Sequence, residues 1–264
     1  MGKSSGKSTI TVMTSETWQD TEEREVWKMA AALILSGGTG TRLGSDIPKQ
    51  YIEVCGRPVI SYCIEQLSRH EKIDAIQIVA AVQWHETIRE CLNKYDKNRK
   101  FRGFSSPGGN RQLSIYNGLT DIRAYAGDSD TVLIHDAARP LLSLRMITDC
   151  LESVRGHDGA VPVLPMKDTV YQSVDGKKIS SLVNRSEIYA GQAPEAFKIG
   201  PYHEANRKLL PDKILTINGS TEPAVMAGMD MVMIPGDEGN FKITTAEDLE
   251  RFREVIGQRN KTGV

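Results

Sequence analysis

Short apolar runs alternate with stretches of helical periodicity from residue 29 onward, and this alternation limits the possible folds more than any other feature. Apolar residues repeat at helical spacing in several stretches, for example at Ile60, Ile64 and Leu67. Four short apolar runs between such stretches predict buried strands: Ala30 to Leu35, Ile73 to Val82, Thr131 to His135 and Ala160 to Leu164. Strands that alternate with helices pair in parallel through helical crossovers. The sequence therefore predicts an α/β fold with a mainly parallel sheet and helices on both faces.

One stretch departs from this alternation. Residues 168–183 read DTVYQSVDGKKISSLV, in which apolar and polar residues alternate on either side of Asp175-Gly176. This pattern predicts a β-hairpin, and its apolar positions are too few for a place inside the core. We therefore expect a projecting β-hairpin arm over about residues 168–185. After the arm, the pattern predicts a helix near 202–209, a strand near 229–234 and a last helix from Thr245 to Ile256.

The first 28 residues differ from the rest of the chain. They are rich in Ser, Thr, Lys and Glu without sustained periodicity. We therefore expect a mobile N-terminal tail, or a remnant of cloning, outside a single domain of residues 29–264. The segment GKSSGKST is similar to a phosphate-binding loop, but Gly2 and Gly6 are four residues apart where that motif needs five. No apolar strand precedes it, so we expect no nucleotide site there.

Charge and cysteine content exclude several classes of protein. The chain has 33 Lys and Arg against 34 Asp and Glu, a net charge of −1, which excludes a broad nucleic-acid surface but allows a local basic pocket. No apolar run approaches the ~20 residues of a membrane span, and no apolar signal segment begins the chain. The cysteines lack the spacing of a metal or redox motif, so we expect buried, reduced thiols in a cytoplasmic protein: Cys55, Cys63, Cys91 and Cys150.

The strongest local signal is LILSGGTGTRLGSDIPKQY, residues 33–51, where the first predicted strand leads directly into a glycine loop. The loop and the residues after it combine glycines with two cations: Gly37, Gly38, Gly40, Arg42 and Lys49. Glycines let consecutive backbone N–H groups point at an anion, while arginine and lysine supply charge for phosphate oxygens. Open α/β sheets bind ligands at the carboxyl ends of their strands, so this loop predicts a phosphate-binding site. Leu43 replaces the third glycine of a dinucleotide-binding motif, which argues against that class.

GGTGTRLG followed by PKQY closely resembles the signature of the cytidylyltransferases that activate polyol phosphates. This is the family of 2-C-methyl-D-erythritol 4-phosphate cytidylyltransferase and ribitol-5-phosphate cytidylyltransferase, and the matching motifs continue in order from about Ala30 to Ile256. The resemblance implies a Rossmann-like, nucleotidyltransferase-type sheet. It implies transfer of a cytidylyl group from CTP to a polyol phosphate, with release of pyrophosphate. It also implies a Mg²⁺ ion and a homodimer in which the arm of one subunit completes the site of the other.

The family motifs also imply roles for individual residues. Those implied to bind CTP lie in the two glycine turns: Ser36, Gly37, Gly38, Gly40, Gly109, Asn110 and Ser114. Four cations are implied to act in catalysis: Arg42, Lys49, Arg185 and Lys242. Three residues are implied to hold the acceptor phosphate: Arg139, Thr169 and Arg185. Asp136, at the end of a predicted strand, takes the Mg²⁺ by resemblance and by position, and whether Asn240 joins it stays open. We expect the adjacent His135 to be structural.

Two motifs depart from the family pattern. GQAPEAF, residues 191–197, stands at a Q-T-P-Q-x-F element, and NGSTEPAV, residues 218–225, stands where the erythritol enzymes carry T-D-D/E-A. Because the second segment contacts the polyol in that family, the acceptor stays open. HDAARP favours 2-C-methyl-D-erythritol 4-phosphate, of the methylerythritol phosphate route to isoprenoids, as first choice. NRSEIYAGQ favours ribitol 5-phosphate as the alternative, with CDP-ribitol serving cell-wall or capsule polymers.

Two further interpretations stand beside these. A sugar-1-phosphate nucleotidyltransferase fits the PKQ motif and the arm poorly. A non-catalytic nucleotide-binding regulator is the other interpretation, and it is disfavoured by four intact site residues: Lys49, Asp136, Arg185 and Lys242.

A phosphate monoester is already a nucleophile, so the favoured reaction needs charge neutralisation and in-line positioning rather than a general base.

Overall fold

The computed structural model describes residues 28–38 and 47–262. The predicted tail up to residue 27, and Gly40 and Arg42 of the first glycine loop, lie outside the described residues. The helices and strands follow in this order: β1 (Ala30–Leu35), β2 (Glu53–Val54), β3 (Arg57–Pro58), α1 (Val59–Arg69), β4 (Ala75–Val79), α2 (His85–Tyr95), β5 (Phe101–Ser105), α3 (Arg111–Ile122), β6 (Thr131–Asp136), α4 (Leu144–Ser153), β7 (Gly159–Pro165), β8 (Val170–Gln172), β9 (Ser181–Val183), β10 (Tyr189–Gly191), β11 (Glu195–Lys198), α5 (Ile199–Arg207), α6 (Glu222–Met226), β12 (Met231–Pro235) and α7 (Ala246–Thr262).

The largest sheet is mixed, with mainly parallel strands. β1 pairs in parallel with β4 on one side and with β6 on the other, and β5 extends the sheet in parallel beyond β4. β7 and β12 form a further parallel pair, and β11 lies antiparallel between β6 and β7. The predicted α/β fold with a mainly parallel sheet is confirmed.

The antiparallel strands β10 and β11, which the sequence analysis did not predict, follow from the connectivity of the chain. β7 leads out into the arm, and the chain returns without a crossover helix. The returning strands therefore run antiparallel along β7. This return places Glu195, the first residue of β11, opposite Ile134 near the carboxyl end of β6. An acidic side chain thus reaches the same sheet edge as Asp136.

Side chains of β1 alternate between two apolar cores. Ala30, Ala32 and Ile34 pack in a core that α1, α2 and α4 share, whereas Ala31 and Leu33 pack in a core with α3 and α5. Helices therefore cover both faces of the sheet, as the near-continuous apolar run of β1 predicts. A third apolar cluster packs α7 against the start of α1.

Gly118 determines how closely α3 packs on the sheet. Glycine is unfavourable inside a helix, but a Cβ atom at this position would lie 2.5 Å from Cδ1 of Leu33. The absence of a side chain thus lets α3 approach β1. Because α3 begins at Arg111 and β1 leads into the first glycine loop, this contact also sets the distance between two segments of the predicted site.

β8 and β9 form the predicted hairpin arm. They pair antiparallel, with Tyr171 opposite Leu182. Gly176 in the turn has a φ of +68°, a conformation that favours glycine. Tyr171 is 55% exposed and Leu182 is 69% exposed, so the arm presents apolar surface that its own chain does not cover.

Some element boundaries differ from the predictions. The strand predicted over Ile73 to Val82 is limited to β4, and the last helix continues past Ile256 to Thr262. α2 and β5 were not predicted at all. β5 lies at the edge of the sheet and reads FRGFS, so its apolar signal is short and is interrupted by Arg102 and Gly103.

Three of the four cysteines are buried as expected. Cys63, Cys91 and Cys150 lie in the core, and all four thiols are free. The expectation is wrong for Cys55, which is exposed. It lies in the tight turn between β2 and β3, and its φ of +51° belongs to that turn rather than to a packed strand. Within the described ranges, no helix has both the length and the apolar character needed to cross a membrane.

Candidate active site

A cleft of about 500 Å³ opens where β1 and β6 end. Most of the sequence-predicted site residues in the described ranges line it: Gly37, Gly38, Lys49, Gly109, Asn110, Ser114, Asp136 and Lys242. Six further residues line it that were not predicted as site residues: Leu35, Gln50, Gly108, Arg111, Ala138 and Thr244. The carboxyl ends of neighbouring parallel strands meet at one sheet edge, and the cleft lies there.

Side-chain hydrogen bonds hold the described start of the first glycine loop, residues 36–38. Gln50 Nε2 donates to the carbonyl oxygens of Ser36 at 2.9 Å and Gly38 at 2.8 Å. A Cβ atom on Gly37 would lie 2.8 Å from Cβ of Pro107, so glycine is required where this loop meets the segment before the second turn. Ser36, predicted to bind CTP, is buried, and its hydroxyl lies 2.8 Å from the Tyr51 hydroxyl. The structure therefore gives Ser36 a supporting contact and leaves it outside the cleft lining.

The second glycine turn, Gly108 to Asn110, lies directly before α3 and caps it. The Asn110 side chain accepts from the N–H of Leu113 at 2.8 Å and donates to the carbonyl oxygen of Ile214 at 2.9 Å. The Ser114 hydroxyl donates to the carbonyl oxygen of Asn110 and accepts from the N–H of Gly108. These contacts satisfy groups that a helix start leaves unpaired, and they keep the turn open toward the cleft.

Asp136 lies at the centre of the charged part of the cleft. Lys242 Nζ lies 2.9 Å from its Oδ2, Arg111 Nη2 lies 3.2 Å from its Oδ1, and Arg139 Nε lies 3.8 Å from its Oδ2. Burial by itself raises the pKa of Asp136, but the charges of Arg111 and Lys242 outweigh burial and hold this pKa well below its usual range. The carboxylate is therefore ionised at physiological pH.

Arg111 lines the cleft, and the sequence analysis left it out of the predicted site. It is the first residue of α3, so its position depends on the Asn110 cap. The sequence carries a signal for it, because GGNRQLS, residues 108–114, resembles a family element of two glycines followed by an arginine and a serine. Its guanidinium lies between two buried carboxylates, Asp136 and Glu195, the latter at 3.8 Å.

His135 and Arg139 support the cleft from behind Asp136. His135 Nε2 donates to the carbonyl oxygen of Arg139 at 2.9 Å, and burial lowers the pKa of His135 to about 4. The ring is therefore neutral and packed, in agreement with its predicted structural role. Arg139 Nη1 donates to the carbonyl oxygen of Asn240 at 2.7 Å. The Asn240 amide donates in turn to the Ala193 carbonyl at 2.7 Å, so Asn240 packs in the core and does not line the cleft.

The two predicted site residues of the arm lie outside the cleft of their own chain. Thr169 and Arg185 are exposed, and neither lines the cleft of its own chain. Arg185 Nη1 donates to the carbonyl oxygen of Lys167 at 2.6 Å, at the base of the arm. The structure thus separates these two predicted site residues from the others within one chain.

Comparisons with known proteins match most of the chain. A family model described as IspD, 2-C-methyl-D-erythritol 4-phosphate cytidylyltransferase, matches residues 30–258. Ribitol-5-phosphate cytidylyltransferase from Streptococcus pneumoniae serotype 2 is 32% identical over 232 residues, 86% of this chain and 99% of that protein. The bifunctional enzyme IspD/IspF from Granulibacter bethesdensis is 37% identical over 229 residues, 86% of this chain and 56% of that protein.

The fold is also similar to solved structures. The crystal structure of 4-diphosphocytidyl-2C-methyl-D-erythritol synthase from Anaerococcus prevotii has a TM-score of 0.74 and 28% identity, covering 88% of this chain and 97% of that one. The matched region contains both glycine turns, the Asp136 cluster and the arm. The chain therefore belongs to the IspD family, the 2-C-methyl-D-erythritol 4-phosphate cytidylyltransferases, and is a nucleotidyltransferase with CTP as a substrate.

Proposed function

We propose that this chain transfers the cytidylyl group of CTP to 2-C-methyl-D-erythritol 4-phosphate and releases pyrophosphate. One observation carries the proposal: a single cleft lined by both glycine turns and by Lys49 brings Arg111 and Lys242 to the carboxylate of Asp136. A chain with a net charge of −1 that concentrates cations in one cleft is suited to a polyanionic substrate. The matched family model supports the choice of acceptor.

In the proposed reaction, an oxygen of the acceptor phosphate attacks the α-phosphorus of CTP. A P–O bond forms there, the bond from the α-phosphorus to the bridging oxygen breaks, and pyrophosphate leaves with that electron pair. A phosphate dianion needs no general base, which agrees with the neutral, buried ring of His135. The chain supplies positioning and charge: the N–H groups of the two glycine turns face the triphosphate, and Lys49 and Lys242 offset charge at the α-phosphate.

Asp136 is the residue we propose for Mg²⁺. Its carboxylate lines the cleft and is ionised, which suits a hard cation. Among the described residues, no group of three His, Cys, Asp or Glu side chains is placed to hold a metal. The other ligands would then come from CTP phosphates and water, the common arrangement for this ion. The ion supplies additional charge neutralisation on the triphosphate.

We propose that the arm acts on a second copy of this chain in a homodimer. Thr169 and Arg185 lie outside the cleft of their own chain, and the arm exposes the apolar side chains of Tyr171 and Leu182. A two-stranded hairpin is marginally stable alone and gains from a surface that covers its apolar side. In a two-fold arrangement each arm would bring Thr169 and Arg185 to the acceptor phosphate in the partner's cleft, together with that cleft's Arg139.

Ribitol 5-phosphate is the alternative acceptor. The ribitol-5-phosphate cytidylyltransferase of S. pneumoniae matches this chain over 99% of its own length, and the 218–225 segment departs from the erythritol pattern. The chemistry at the α-phosphorus is the same for both acceptors.

We further propose a cytoplasmic enzyme without nucleic-acid or membrane partners, and the four free thiols agree with a reducing compartment.

Pyrophosphate release against a panel of substrates tests the proposal. We expect turnover only when CTP, a divalent cation and a polyol phosphate are all present, with kcat/KM higher for 2-C-methyl-D-erythritol 4-phosphate than for ribitol 5-phosphate. Asp136→Asn should abolish turnover, whereas Asp74→Asn, which changes a carboxylate at the other end of β1, should not. Equal turnover with ATP, or activity that survives a chelator, would contradict the reaction. A reversed preference would establish the ribitol alternative.

A further inference from the structure

Glu195 is a buried carboxylate that the proposed reaction does not use. It is paired in register with Ile134, two residues before Asp136, so the two carboxylates lie on the same face of the sheet at the same edge. The Arg111 guanidinium lies between them, 3.2 Å from Asp136 and 3.8 Å from Glu195. The side chains of Asp136 and Glu195 are only 11% and 10% exposed. Burial raises the pKa of Glu195, and the nearby charge of Arg111 opposes that rise.

The same carboxyl oxygen of Glu195 that lies near Arg111 also contacts a segment distant in sequence. The Ser220 hydroxyl donates a hydrogen bond to Glu195 Oε2. The backbone carbonyl of Ser220 accepts from the Tyr202 hydroxyl at 2.6 Å, and that hydroxyl accepts from Gln112 Nε2 at 3.1 Å. Gln112 is the neighbour of Arg111 in α3. The contacts therefore form a closed circuit that begins and ends at the start of α3, and Ser220 is fixed through both its side chain and its backbone.

Residues of the two motifs in which this chain departs from the family pattern both take part in these contacts. Glu195 stands at the second glutamine of the Q-T-P-Q-x-F element, and Ser220 lies in the 218–225 segment. A neutral amide at position 195 would leave Asp136 as the carboxyl group beside Arg111, and Asp136 also pairs with Lys242 at 2.9 Å. With glutamate at position 195, Arg111 Nη2 lies 3.2 Å from Asp136 Oδ1 and 3.8 Å from Glu195 Oε2. Two such neighbours favour one orientation of the planar guanidinium.

We propose that Glu195 is a positioning residue, which orients Arg111 toward the triphosphate site and couples this orientation, through Ser220, to the 218–225 segment. The proposal rests on the proposed function of the cleft and deepens it. Because that segment stands where the family contacts the polyol, the circuit links the nucleotide part of the site to its acceptor part. Of these two residues, Arg111 lines the cleft and would contact the substrate, and Glu195 acts only through Arg111.

A purely electrostatic role of Glu195 and a positioning role predict different effects of Glu195→Gln on kcat. The cluster of Arg111, Arg139, Lys242, Asp136 and Glu195 contains three cationic side chains and two carboxyl groups, and burial raises the pKa of one of these, Glu195. Glu195→Gln cannot make the cleft more negative, so a purely electrostatic role predicts CTP binding at least as tight and an undiminished kcat. A positioning role predicts a kcat about 10- to 100-fold lower, the range for a lost contact to a charged group, while CTP binds at least as tightly.

The experiment measures kcat with acceptor, and the CTP dissociation constant by calorimetry without acceptor. Glu195→Gln should lower kcat by about 10- to 100-fold in the wild-type background and by less than about 2-fold in an Arg111→Lys background, because the orientation is lost already. Glu65→Gln is the matched control, since it removes a carboxylate partner from Arg57 far from the cleft and should leave kcat unchanged. An undiminished kcat, or an equal loss in both backgrounds, overturns the proposal.

Two further measurements keep the result decisive. If Glu195→Gln does not fold, Ser220→Ala retains every charge and removes only the hydroxyl donor. It should lower kcat in the wild-type background and not in the Arg111→Lys background, and the opposite result refutes the coupling. If the wild-type enzyme turns over no polyol phosphate, the proposed acceptor chemistry fails by itself. In that case the coupling of Glu195 and Arg111 is measured from the CTP dissociation constants of the single and double variants, and additive changes refute it.

Discussion

The contact of Gly118 with Leu33 gives a prediction whose magnitude follows from the structure. A Cβ atom at position 118 would lie 2.5 Å from Cδ1, 2.8 Å from Cδ2 and 3.2 Å from Cγ of Leu33. Ordinary van der Waals contact begins near 3.4 Å, and Leu33 is fully buried, so its side chain has no solvent to move into. In Gly118→Ala, α3 must therefore move away from β1 or Leu33 must leave its rotamer.

Two terms of opposite sign contribute to the stability of Gly118→Ala. Overpacking a well-packed core costs about 1–3 kcal/mol. Alanine in place of glycine inside a helix recovers up to about 1 kcal/mol. Gly257→Ala separates the two, because Gly257 also lies inside a helix, α7, and a Cβ atom there meets no atom within 4 Å. We expect Gly257→Ala to stabilise the protein and Gly118→Ala to be less stable than Gly257→Ala by about 1–3 kcal/mol.

Urea unfolding of both variants measures this difference as a change in the free energy of unfolding. A third variant identifies the contact: Leu33→Val has no Cδ atoms, so Gly118→Ala should cost less in that background than in the wild type. If Gly118→Ala is as stable as Gly257→Ala, or if its cost is the same with valine at position 33, the close approach of α3 and β1 does not depend on this glycine.

Three further predictions concern the site and its surroundings. Lys49→Ala and Lys242→Ala should each lower kcat by ~10²–10³-fold with a smaller rise in KM for CTP, and an unchanged kcat would show that the lysine only binds. Mixing inactive Lys49→Ala subunits with inactive Arg185→Ala subunits should restore roughly a quarter of full activity by two-fold exchange, and no recovery after demonstrated exchange would place Arg185 in its own chain's site. Burial lowers the pKa of His135 from 6.5 to about 4, so its contribution to stability is present above pH 6.5 and is lost as the pH falls toward 4. This loss amounts to about 3 kcal/mol, and urea unfolding of His135→Gln between pH 4 and 7 should lack it.

Local motifs predicted much of the fold and of the cleft. β1, β6 and the first glycine turn are each encoded by a few consecutive residues, and the meeting of parallel strand ends at one edge follows from the strand–helix alternation. The resemblance to the family motifs then assigned Lys49, Asp136 and Lys242 to one site without coordinates. The arm was also predictable, because its alternation around Asp175-Gly176 is a short-range pattern.

Other features depend on contacts between distant parts of the chain. Arg111 is 25 residues from Asp136 in sequence, and its hydrogen bond to that carboxylate exists only because α3 packs on β1, the strand next to β6. β11 has an ordinary short apolar pattern, and its antiparallel place between β6 and β7 results from the return of the chain after the arm. Cys55 is exposed because a tight turn, and not its own apolar character, sets the direction of its side chain.

The sequence by itself determined the class of fold, the glycine turns and the charges available for a polyanion, because each depends on residues close together along the chain. The tertiary structure alone decided which charges meet. It placed Arg111 between Asp136 and Glu195, joined Glu195 to Ser220, and separated Thr169 and Arg185 from the cleft of their own chain. The physical reason is that Coulomb and hydrogen-bond energies act over a few ångströms in space, and only the packed sheet and helices bring such residues within that distance.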